Sequence, residues 1–154
     1  MEILIGILLI TILLVLAWID LRTFLLPDNI TIPLIVLGFI ANALEWIHWA
    51  SIFDSILGIC LGGGFLYGLN VIYRRIKGIN GIGMGDAKLL AALGAFFGWE
   101  ALPYILLMAS LTGLLGGYIW LKVHHQDHSS AFPFGPYIAL GGIITVLWFL
   151  QHTL

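Results

Sequence analysis

Six apolar runs, each near the length that crosses a bilayer, divide the 154 residues: about Ile3–Ile19, Ile30–Ile47, Ile52–Tyr73, Asp86–Trp99, Leu102–Leu121 and Phe134–Leu150. A helix needs roughly 20 mostly apolar residues to cross about 30 Å of hydrocarbon. Inside that layer every backbone polar group must be satisfied within the protein, so such runs become helices. Charged residues make up only 9% of the chain, against about 25% in soluble domains, and that is too few to coat a globule. The expected fold is an all-α integral membrane protein, a single domain over residues 1–154 built as a bundle of six transmembrane helices. The fourth run is short, and is expected to tilt or to open into a water-filled cavity. Gly98, Glu100 and Pro103 argue against fusing it with the fifth.

The cations set an orientation. Arg22 follows the first run; Arg74, Arg75 and Lys77 follow the third; Lys88 opens the fourth and Lys122 ends the fifth. All six fall on one side of a six-span topology, which the positive-inside rule makes cytoplasmic, with both termini on the other side. The first run carries Glu2 and no Lys or Arg before it, and ends in Trp18-Ile19-Asp20, so it is read as a retained helix and not a signal peptide. Small residues four apart (Gly58/Gly62, Gly64/Gly68, Gly94/Gly98, Gly113/Gly117) are expected to let helices of the bundle approach closely. Asn42 and Asn70, inside spans, are expected to bond between helices. Trp18, Trp46, Trp49, Trp99 and Trp120 near helix ends suggest interfacial belts. The lone Cys60 reads as a small buried core residue.

Against this background the stretch GIGMGDAK, Gly81 to Lys88, is anomalous, because it sets Asp86 at the mouth of an apolar run. Asp20 ends the first run on the same side. If those two helices pack as neighbours, the carboxylates converge, and two like charges in close contact cannot both ionise. One acid and one base suit peptide-bond hydrolysis: the carboxylate takes a proton from water, and the acid polarises the carbonyl and protonates the leaving amine. Gly81, Gly83 and Gly85 would leave a bare backbone where an extended substrate could lie. Spacing alone equally allows Asp86 to cap a helix. Asp28, or Asn29, reads as an N-cap of the second helix, and Asp28 competes with Asp20 as the partner of Asp86. No GxSxG or HExxH motif offers a rival nucleophile or metal site.

The segment GIGMGDAKLLAALGAFFGW resembles the GxGD region of the type IV prepilin leader peptidases, membrane aspartic peptidases of bacteria. Ile19 to Leu44, with its Asp20, Leu26-Pro27-Asp28 and Thr31-Ile32-Pro33-Leu34, is similar to that family's other active-site segment, and Phe132 to Gly142 resembles its Pro-Phe-Gly-Pro segment. The resemblance covers essentially the whole chain. It implies catalytic aspartates at Asp20 and Asp86, and a plasma-membrane enzyme with its site facing the cytoplasm. The expected partners are prepilin or pseudopilin precursors and the lipid bilayer, with no nucleic acid, no metal and no cofactor. Gly83, Gly85, Lys88, Asp28, Pro133 and Gly135 are the expected supporting or substrate-binding residues. Lys88 would favour the ionised form of Asp86 or anchor lipid or substrate, and the turn at Pro133-Phe134-Gly135-Pro136 would line the substrate groove. Longer members of the family carry a cytosolic loop with paired CxxC motifs and also methylate the new N-terminus; this chain has no such loop, so N-methylation is not expected of it.

The remaining polar residues carry less. His124, His125, Asp127 and His128 read as a solvated loop and not as a metal cluster. Two other classes stay open: an inactive membrane assembly factor, and a small channel or transporter. A channel would place its acids mid-membrane, whereas these lie at the ends of runs.

Overall fold

The computed structural model describes residues 1–78, 83–124 and 133–153, with side chains described for all of these except 119–124 and 153. The histidine cluster expected in the loop from residue 124 lies outside the described side chains.

Six α-helices follow the six runs: α1 (Glu2–Thr23), α2 (Asp28–Ala43), α3 (Ile52–Lys77), α4 (Met84–Phe97), α5 (Leu102–His124) and α6 (Gly135–Thr153), with one 3-10 turn over Trp99–Ala101. α1, α3 and the stretch Trp99–Tyr118 are long and apolar enough to cross a membrane. Leu4, Phe53, Tyr104 and Leu114, each more than two-thirds exposed, belong to a broad apolar exterior that only lipid would cover. The chain is an all-helical membrane protein.

The short fourth helix is the centre of the bundle. Eleven of its fourteen residues are buried, and only Met84, Gly85 and Lys88 at its start are not. A helix that is apolar all round is a helix surrounded by protein. It packs chiefly against α3 and α2 on one side and touches α6 and α5 on the other; α1 and α5 flank α6. α1 thus belongs to the core, with Leu9, Leu13 and Leu16 almost wholly enclosed.

Glycine sets the closest approach. A Cβ on Gly58 would strike the carbonyl oxygen of Gly94, the converse holds for Gly94, and a Cβ on Gly62 would lie 2.7 Å from the Leu90 carbonyl oxygen. Gly64 and Gly68 meet nothing within 4 Å, so that pair does not serve packing within the bundle. Cys60 is exposed, not buried. At 3.6 residues per turn, a residue two positions from both Gly58 and Gly62 faces away from the partner those glycines meet. Replacing Gly58 by Ala is expected to lower the melting temperature in detergent by several degrees, since overpacking against backbone costs about 1–3 kcal/mol. Gly64→Ala should leave it unchanged. Equal melting of the two variants would contradict this packing.

Asn42 ties the far end of the bundle together. Its buried amide nitrogen donates to the carbonyl oxygens of Ala95 and Phe96 at the end of α4, at 3.0 and 2.9 Å, and to Ser55 Oγ of α3 at 3.3 Å. Its Oδ1 accepts from the Ala50 N–H. This bonding between helices is as expected, and Asn70 of α3 likewise donates to Met84 Sδ of α4 at 3.9 Å. α2 stops at Ala43, short of the expected Ile47, because Glu45 turns left-handed (φ 56°) and the N–H groups of Trp46 and Ile47 both return to the Ala41 carbonyl. That turn carries Trp49 inward: it is 5% exposed and stacks on Phe97 at 5.3 Å, so it is a core residue and not part of an interfacial belt. Trp18, Trp46 and Trp99 do stand exposed.

Candidate active site

Asp20 lies in the last turn of α1, where the Phe24 N–H closes the helix on the Asp20 carbonyl at 2.8 Å with Phe24 in the left-handed region. Asp86 lies in the first turn of α4, its N–H bonded to the Gly83 carbonyl at 3.1 Å. Both side chains are buried, at 4% and 8% exposure.

They meet around the start of α6. The Gly135 N–H, the first of that helix, donates to Asp20 Oδ2 at 3.1 Å. The first N–H groups of a helix have no partner within it, and together with the helix dipole they favour an anion. An ideal Cβ on Gly135 would lie 2.6 Å from Asp20 Oδ2 and 3.2 Å from Asp86 Oδ1. The two carboxylates are therefore within about 6 Å of each other, inside the range where one acts on the ionisation of the other. The route to this convergence differs from the sequence expectation. α1 packs mainly on α6, and α6 in turn touches α4, so α6 joins the two aspartates where direct α1–α4 packing was expected.

No cation neutralises the pair among the described residues. Lys88 Nζ pairs with Asp28 Oδ1 at 2.6 Å, and the Arg22 guanidinium lies 4.4 Å over the Trp18 ring. Residues two apart on a helix do not face each other, which is why Lys88 does not reach Asp86 as expected. Asp28 is also corrected. Pro27 occupies the N-cap position of α2, and the partly exposed Asp28 carboxylate turns to Lys88 without capping the helix or joining Asp86. The pair links the start of α2 to the start of α4.

The loop glycines divide. A Cβ on Gly85 would fall 2.6 Å from Leu26 Cβ, so Gly85 serves contact with the Leu26-Pro27-Asp28 turn and not a bare backbone. Gly83 is exposed, and its Cβ position lies 3.2 Å from Asp86 Oδ2, so it keeps the approach to that carboxylate open. Gly81 lies outside the described residues. Pro133 is buried, and α6 begins at Gly135 with Pro136 in its first turn, where a missing N–H is tolerated. The Gly135 hydrogen bond is the feature sequence reasoning missed. The Pro-Phe-Gly-Pro turn announced a helix start on the right side of the bundle but not which side chain would face it.

Two buried carboxylates without a counter-ion among the described residues are costly, which makes the pair the candidate functional site. Such a pair can offer one group to take a proton and one to give it.

A model of the type IV leader peptidase family matches residues 7–118. The prepilin leader peptidase/N-methyltransferase of Aeromonas hydrophila is 44% identical over 145 residues, which is 93% of this chain and 49% of the relative. The protein of the same name from Pseudomonas aeruginosa is 40% identical over 141 residues, 92% of this chain and 48% of the relative. That from Burkholderia pseudomallei is 39% identical over 136 residues, 88% and 43%. No solved structure matches. The chain spans about half the length of the curated relatives it matches. With a family model covering most of its length and its two buried aspartates paired, the chain belongs to the type IV leader peptidase family.

Proposed function

We propose that the chain is an aspartic endopeptidase that removes the short basic leader from type IV prepilin or pseudopilin precursors. The observation that carries this is the convergence of Asp20 and Asp86 beside Gly135 without a counter-ion. Water between the carboxylates loses a proton to one of them, and its oxygen attacks the scissile carbonyl carbon. The other carboxyl gives its proton to the carbonyl oxygen. Collapse of the tetrahedral intermediate breaks the C–N bond as a proton passes to the leaving amine. Asp20, held by the Gly135 N–H, is the better fixed of the two.

The position follows from the same proposal. All six helices span the bacterial plasma membrane, with both termini outside and the cation-bearing ends inside. A basic leader followed by an apolar helix would then present its scissile bond at the inner boundary, where the aspartates lie. Peptide cleavage is the chemistry this pair supports; methyl transfer is not assigned to these residues. The test is co-expression with a tagged prepilin in cells lacking their own leader peptidase, followed by N-terminal sequencing of the product. A shortened product is expected. An intact leader, with the protein inserted normally, overturns the reading.

Asp28 supplies a sharper check on the pair. Asp28→Asn is expected to keep cleavage within about threefold of the unmodified chain, because a half-exposed ion pair is worth roughly 0–1 kcal/mol. Complete loss of cleavage in that variant would move the acid–base role toward Asp28.

A further inference from the structure

At the end of the bundle away from the aspartates lies a cavity of about 660 Å³, between the α4–α5 connection, the start of α3 and the last turns of α6. Its walls include Trp49, Asp54, Glu100, Tyr104, Ile144 and Trp148. The volume is that of a small-molecule site. The peptidase chemistry makes no use of it.

The charge of the lining is one-sided. Among the described residues, Asp54 and Glu100 are the ionisable carboxylates in it, and no Lys, Arg or His lines it. Asp54 is held in place: its Oδ1 accepts from Trp99 Nε1 at 3.1 Å and its Oδ2 from Ser51 Oγ at 2.6 Å. Glu100 stands exposed beside it in the 3-10 turn. Aromatic side chains surround these acids, with Tyr104 at 71% and Trp148 at 55% exposure. Carboxylates among aromatic faces select an organic cation. The exposed Trp148 in the wall, with exposed Trp99 next to Glu100 in sequence, puts this end of the bundle at the headgroup level, since tryptophan gathers where headgroups meet hydrocarbon. From there the wall runs inward over Met108 of α5 and Ile144 of α6, which is apolar surface suited to an acyl chain. Trp49, stacked on Phe97, is also in the lining, and its indole N–H has no hydrogen-bond partner among the described residues.

We propose that this cavity seats a phospholipid with an ammonium headgroup, its cation between Asp54 and Glu100 and an acyl chain along the α5–α6 wall. A bound lipid of this kind braces the α4–α5 turn against α6. The inference needs only that the protein sits in a membrane, and it stands apart from the peptidase reading.

The test uses the whole chain, stripped of lipid in detergent, with short-chain phosphatidylethanolamine or phosphatidylglycerol added and binding followed by native mass spectrometry. The two lipids share phosphate and chains and differ in the ammonium. Phosphatidylethanolamine is expected to bind at least about tenfold more tightly. Glu100→Gln should erase most of that preference, and Ile144→Trp, which fills the cavity, should remove binding of both. Asp54 is left intact because it holds Trp99 and Ser51. Equal affinity for the two lipids overturns the proposal, as does a preference that survives both variants. Failure of phosphatidylethanolamine to bind also overturns it, and would leave the cavity to a protein partner.

Discussion

Asp86→Asn is expected to lower leader cleavage by about 10³-fold or more, and Asp20→Asn by a similar factor, with membrane insertion unchanged. Asn keeps the shape of the side chain but can neither take a proton from water nor give one to a leaving amine. The two losses should not multiply. Groups that act as one unit lose their function when either is removed, so the double variant should be no worse than the poorer single one. Stability should move the other way. Two carboxyl groups at 4% and 8% exposure, with no ion-pair partner among the described residues, hold one proton between them and leave one uncompensated charge in a poorly hydrated setting. Replacing one by a neutral amide lets the other take the proton and removes the cost of that buried charge, so the melting temperature in detergent is expected to rise in each single variant. A strained site that costs stability and confers activity behaves in this way. Cleavage within tenfold of the unmodified chain in either variant would remove that residue from the acid–base pair. A fall in melting temperature would mean that the pair is held by bonds and not by mutual constraint.

The six helices were legible because a bilayer leaves an apolar chain few choices, and each apolar run became one helix. Their arrangement was less so. The fourth run looked marginal by length, yet α4 is the most buried helix, because it need only fill the centre of a bundle whose outer helices meet the lipid. Composition pointed the right way, with Ala and Gly among its Leu and Phe residues, but length pointed elsewhere. The glycine spacings named candidates without naming partners: Gly58 and Gly62 meet α4, whereas Gly64 and Gly68, at the same spacing, meet nothing. Cys60 and Trp49 were both misplaced, and for the same reason. Whether a residue in an apolar run faces lipid or protein depends on the rotation of its helix or the path of its loop, and a nearly uniform apolar run carries no phase.

The charged residues of the site were legible as types and sides but not as pairs. Lys88 stood two residues from Asp86 in sequence and pairs with Asp28 sixty residues away. Asp28 competed with Asp20 on sequence grounds, and the geometry separates them: one is half-exposed and paired with a lysine, the other buried under a helix start. Nothing in the local sequence of α1 says that residue 135 will supply the donor to Asp20, because that contact depends on how α1 and α6 cross.

That contact gives the second large effect. Gly135→Ala is expected to reduce kcat by about 10²-fold with KM little changed. The added methyl would sit 2.6 Å from Asp20 Oδ2 and 3.2 Å from Asp86 Oδ1, so one or both carboxylates must turn away or α6 must draw back. The backbone at 135 is not in the left-handed region, so alanine adds no torsional strain and the whole effect comes from contact with the aspartates. A displacement of about 1 Å in a reacting group costs on the order of 10²-fold in rate. Gly83→Ala serves as the comparison. Its methyl would lie 3.2 Å from Asp86 Oδ2 on the exposed side, where the proposed substrate strand would approach, so the change should appear mainly in KM. The measurement is steady-state cleavage of a prepilin peptide by each variant, combined with Asp20→Asn in a double-mutant cycle. If Gly135 acts by positioning Asp20, adding Gly135→Ala to Asp20→Asn costs little further activity. Full additivity of the two losses would show that the methyl harms the fold of α6 and not the seating of the carboxylate.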